Sequence, residues 1–72
     1  MRIKVDLESN ALYFRLSENK IEESEEVAKG VIVDYDKTGK VVGLEILNLK
    51  ERFSLEELSK INVELPMAAS AK

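Results

Sequence analysis

Cysteine, histidine and tryptophan are all absent from this chain of 72 residues, and proline occurs once. Without cysteine, disulfides and thiolate zinc sites are excluded. Without histidine as well, a metal would have to be held by oxygen ligands alone, and neither an imidazole base nor a thiol nucleophile is available. Nothing in the composition calls for a cofactor. Long apolar runs are missing too, since no stretch approaches the ~20 residues of a membrane-spanning helix. Met1-Arg2-Ile3-Lys4 opens a strand pattern rather than a signal peptide, so the expectation is a cytoplasmic protein with no membrane partner. Basic residues are not in excess either. A net charge of −3 with 35% charged residues suits a soluble protein and speaks against a general binder of nucleic acid or anionic membranes.

What is present must fold as one small domain. A chain this short buries only roughly 60–65% of its unfolded surface, so oligomerisation, most simply a homodimer, is the expected supplement to its core.

The strongest signal runs from Gly30 to Leu49. Val31, Val33 and Tyr35 alternate with Ile32, Asp34 and Asp36, and Val42, Leu44 and Ile46 alternate with Val41, Gly43, Glu45 and Leu47. Both runs therefore carry the period of two expected of strands. Between them, Asp36 can bond forward to the backbone, and Gly39 suits the left-handed position that closes a bulged hairpin. Apolar residues on both faces of the second run mark it as a central strand.

Before this hairpin, Arg2 to Asp6 and Ala11 to Leu16 alternate and read as a first hairpin. Ile21 to Val27, with four glutamates, reads as an edge or irregular strand whose charge discourages pairing with other chains. After it, Ser54 and Glu57 have the spacing of a capping box flanked by Phe53 and Leu58, which predicts a helix of about seven to nine residues with Leu55, Leu58 and Ile61 toward the sheet. The expected class is α+β: an antiparallel sheet of four or five strands covered by one C-terminal helix, spanning residues 1–65, with 66–72 as a mobile tail.

Candidate chemistry is sparse. Asp34, Asp36, Thr38, Gly39 and Glu45 match the calcium-loop template as a string, but that loop needs a flanking helix on each side, and here the flanks are β-branched. Asp6, Asp34, Asp36 and Glu45 are the carboxylates from which an acid/base pair could be built. Asp36 already has turn chemistry to explain it, and Asp6 lies on a charged strand face; Asp34 and Glu45, on paired strands, would need partners such as Arg15 or Arg2 if covered. Arg2, Lys4, Tyr13 and Arg15 share the outer face of the first hairpin, a weak footprint for single-stranded nucleic acid. Glu22, Glu23, Glu25 and Glu26 form an acidic run that could face a basic protein partner.

Lys4-Val5-Asp6, Asn10-Ala11-Leu12-Tyr13-Phe14-Arg15-Leu16-Ser17, Gly30-Val31-Ile32-Val33-Asp34-Tyr35-Asp36 and Gly39-Lys40-Val41-Val42-Gly43-Leu44-Glu45-Ile46-Leu47 together resemble the YuzE-like proteins, a small prokaryotic family known as domain of unknown function 2283. Asn10 stands where such proteins commonly carry Asp. The resemblance implies a small β-rich domain with a helix and brings no catalytic residues. Some members sit beside toxin-like partners, which implies antitoxin-type binding. The combined expectation is a non-catalytic interaction module, Glu22, Glu23, Glu25, Glu26, Asp34 and Glu45 being its candidate interaction residues. The alternative is a small enzyme built on the acidic residues, or a weak nucleic-acid binder.

Overall fold

The computed structural model describes residues 1–66. Each alternating run becomes a strand: β1 (Arg2–Asp6), β2 (Ala11–Arg15), β3 (Glu23–Ala28), β4 (Val31–Tyr35) and β5 (Val41–Leu47). All pairings are antiparallel and the order across the single sheet is β1-β2-β5-β4-β3. The last strand in sequence is thus the central one. The glutamate-rich strand lies at an edge, as its charge suggested.

Turn chemistry fixes the joints. At the β4–β5 hairpin the Asp36 carboxylate accepts from Thr38 N (2.8 Å), Thr38 Oγ1 (2.6 Å) and Lys40 N (3.0 Å). Gly39 takes the left-handed conformation, with φ of 85°. A register shift follows, in which Asp34 pairs with Gly43 but Tyr35 with Val41, leaving Val42 as the extra residue of a bulge. This stretch carries the calcium-loop string, and it is folded as a bulged hairpin.

The first hairpin closes through Asp6, whose Oδ1 accepts from the amides of Glu8 and Ser9, and through Asn10, which is also left-handed at φ 58°. Asparagine tolerates this conformation better than most residues. Its amide does more than permit the turn: Oδ1 accepts from Lys50 N at 2.8 Å while Nδ2 donates to Glu51 Oε1 at 2.9 Å. A carboxylate at position 10 would lose that donor and face Glu51 with like charge.

Helical structure is slighter than the sequence suggests. Two single turns follow β5, α1 (Leu49–Arg52) and α2 (Leu55–Leu58). The capping box forms, with Ser54 Oγ accepting from Glu57 N and Ser54 N donating to Glu57 Oε1. Yet α2 stops after one turn. The Ser59 hydroxyl bonds back to the Glu56 carbonyl, and Ile61, Asn62 and Val63 are weak helix formers. Leu55 and Ile61 consequently stay exposed and only Leu58 is half-buried. Nothing local in the sequence marks the α1 turn. It is stapled by Arg52, which donates from Nε to the Leu47 carbonyl and from Nη2 to the Lys29 carbonyl. The expected tail falls largely on residues 67–72, outside the described residues.

Register and alternation sort the side chains into two faces. One carries Ile3 and Val5 of β1, Leu12 and Phe14 of β2, Leu44 and Ile46 of β5, and Val31 and Val33 of β4. The other carries Arg2, Lys4, Tyr13, Arg15, Glu45, Ile32, Asp34, Ser24 and Glu26. Among the described residues only Ala11, Val42 and Leu49 are fully buried hydrophobic residues, whereas the eight apolar side chains of the first face are half-buried or, for Ile3, exposed. The radius of gyration, 14.3 Å, exceeds the roughly 11 Å expected of a compact chain this long. The described residues form one layer where a stable domain needs two.

Candidate functional site

The polar face gathers most of the candidate residues. Arg2 pairs across the sheet with Arg15, and Lys4 with Tyr13, so these four do share one face. Tyr13 in turn lies opposite Glu45 on β5. Together with Ile21 and Asp34 they line a hollow of about 370 Å³.

Asp34 is the buried group of this hollow, only 3% exposed. Its partner is neither Arg15 nor Arg2. Ser24, directly opposite on β3, donates its hydroxyl to Asp34 Oδ1 at 2.6 Å. Arg2 instead grips Glu18 through Nε at 2.8 Å and Nη2 at 3.0 Å, and Arg15 donates to the carbonyls of Ser17 and Asn19. Ser24 was hidden in the sequence among the glutamates; only the β3–β4 register reveals it.

Glu45 lies beside Asp34 and is half-buried. Burial pushes its carboxyl above the ordinary value, and hydrogen bonding with Asp34 and the charge of that neighbour push it further the same way. A carboxyl that holds its proton next to a second carboxylate can give or take a proton, the arrangement from which acid/base pairs are made. Gly43 is the position that makes the arrangement possible. A Cβ there would stand 2.9 Å from Asp34 Oδ2 and 3.4 Å from the Phe14 carbonyl oxygen, so only glycine lets the aspartate lie across β5.

The other carboxylates are engaged in structure. Asp36 is held down to about 2, first by the Thr38 hydroxyl and then by the Lys40 amide, and its second oxygen accepts from Asn19 Nδ2. Asp6 is lowered chiefly by the Ser9 amide. Asp6 and Asp36 serve their turns, apart from the Asp34 and Glu45 pair. Among the described residues no group of three or more acidic side chains is placed to hold a metal ion.

The acidic run is divided by the pleat of β3. Glu23 and Glu25 fall on the side of the apolar face, and Ser24 and Glu26 on the polar side. Glu26 accepts from the Gly30 amide at 2.8 Å, closing the β3–β4 turn, and Glu25 accepts from the Tyr35 hydroxyl at 3.3 Å. That contact, after burial, raises the Tyr35 phenol. All four glutamates of the run remain exposed at the sheet edge.

No described helix is long and apolar enough to cross a membrane. Comparison with curated proteins and with solved structures finds no match. A family model described as "Protein of unknown function (DUF2283)" matches residues 2–50, which takes in all five strands and the start of α1, and the chain belongs to that family.

Proposed function

We propose that this chain is a non-catalytic interaction module that works as a homodimer, two copies meeting through the apolar faces of their sheets. One observation carries the reading: eight apolar side chains share a sheet face over which the described helices lay almost nothing. Five strands of five residues present about 400 Å² in projection. Two such corrugated faces remove on the order of 1,200 Å² from water, the lower end of what specific interfaces bury. A second copy is the occupant because it is always at hand when the chain folds, and because an identical apolar face is self-complementary about a two-fold axis. The acidic β3 edge then lies at the rim, where water still reaches Glu23 and Glu25 and where a basic partner of antitoxin-bound type would be steered in by charge.

Molecular mass in solution tests the dimer. The expected value is twice the 8.1 kDa of the chain at micromolar concentration. A cooperatively folded species at the single-chain mass would overturn it.

A further inference from the structure

Across the middle of the polar face runs a row of four paired residues: Arg15, Gly43, Asp34 and Ser24. Because Gly43 has no side chain, the Asp34 carboxylate lies over its backbone and reaches across β5 toward Arg15. The hollow above it, about 370 Å³, falls in the size range of small-molecule sites.

Both charged groups are fixed, and among the described residues neither forms a direct salt bridge; the Glu18 carboxylate, gripped by Arg2, feels the Arg15 charge only at longer range. The Arg15 guanidinium is held by two backbone carbonyls, those of Ser17 and Asn19, and among the described residues no carboxylate lies within 4.0 Å of it. Asp34 is 3% exposed, is fixed by the Ser24 hydroxyl, shares a hydrogen bond with Glu45, and among the described residues has no cationic side chain within 4.0 Å. With neighbouring strands about 4.8 Å apart, their backbone positions stand roughly 10 Å from each other. The Asp34 carboxylate, lying over Gly43, narrows that span from its own side, and the described residues bring no cation to it.

We infer that this hollow binds a small zwitterion, an amino-carboxylate whose carboxylate meets the Arg15 guanidinium and whose ammonium meets Asp34 and Glu45. Charge-assisted hydrogen bonds at both ends supply the affinity. Selectivity comes from the mixed signs, because a simple anion would also face Asp34 and a simple cation would also face Arg15. Tyr13 and Ile21 furnish the less polar wall. The site lies on the face opposite the dimer surface and stands whether or not two copies associate.

Titration of the whole chain with 4-aminobutyrate, followed by amide chemical shifts, tests this, with acetate and n-butylammonium as single-charge controls. Saturable shifts at Arg15, Gly43 and Asp34 are expected, with each control binding at least about tenfold more weakly. Asp34→Asn and Arg15→Gln should each weaken binding by a similar factor while the spectrum stays dispersed. The inference is overturned by the absence of saturable shifts, by either control binding as well as 4-aminobutyrate, or by a folded variant that keeps full affinity. Should a variant unfold, the two controls on the unaltered chain decide alone.

Discussion

The two faces of the sheet meet the same problem, covering groups at the middle of a thin slab, with different means. On the polar face the chain supplies its own answers: Ser24 for Asp34, Glu18 for Arg2, two carbonyls for Arg15. No buried side-chain nitrogen or oxygen among the described residues lacks a hydrogen-bond partner. On the apolar face the described residues supply no such local answer. A hydrogen bond is directional and can be satisfied by one neighbour in register, whereas apolar surface is covered only by area, which a second layer must bring. Hence the described residues complete the hydrogen bonding of one face and leave the other open.

The sharpest way to break this contrast is to charge the open face. Phe14→Asp should abolish the dimer and remove about 3 kcal/mol or more of stability, because a carboxylate there is either buried unpaired or keeps the second layer away. Analytical ultracentrifugation and chemical denaturation read both effects. If the substitution lowers neither mass nor stability, the apolar face has no cover to lose.

The next effect belongs to the polar face. Gly43→Val places branched carbon against Asp34 and the Phe14 carbonyl and should cost roughly 1–3 kcal/mol by overpacking. Gly39→Ala is its control, since nothing stands near that position and only the left-handed conformation is penalised, by about 1–2 kcal/mol. Denaturant midpoints separate the two causes, because Asp34→Ser combined with Gly43→Val should recover part of the first loss and none of the second.

The smallest effects are in pH dependence, and they have opposite signs. Glu45 holds its proton more tightly folded than unfolded, so its contribution is fully present below about pH 4.5 and is lost as pH rises toward its raised folded value. Glu45→Gln should therefore raise the melting temperature at pH 7 and change it little at pH 4. Asp36 behaves in reverse: lowered to about 2, it contributes stability above pH 3.8 that is lost as pH falls through 2. Asp36→Asn should flatten that acid limb. Melting curves from pH 2 to 8 on both variants check the signs.

How much of this was legible in the residues follows from the range of each interaction. The Asp36 turn and Gly39 were readable because their partners lie within four positions, and the alternation of β1, β2, β4 and β5 because it is a local period. The capping box was readable, but not the length of α2, which depends on packing that Leu55 does not obtain. Of the candidate site, Asp34 and Glu45 stand out in the sequence, while Ser24 and the role of Gly43 do not, since the first follows from a β3–β4 register offset by a bulge at Val27 and the second from a β4–β5 register offset by the bulge at Val42. Arg52 was unreadable for the same reason: its acceptor at Lys29 lies 23 residues away.

The strand order has a consequence for how the chain is made. β1–β2, β3–β4 and β4–β5 are hairpins that form between near neighbours, but β2 meets β5 through partners as distant as Ala11 and Leu47. A single non-local seam therefore closes the sheet, and it waits for the last strand to be synthesised. Until β5 arrives, the first hairpin and β4 each show an open edge to every other chain nearby, the condition under which strands pair wrongly. The sheet thus leaves these edges uncovered until β5 docks between β2 and β4.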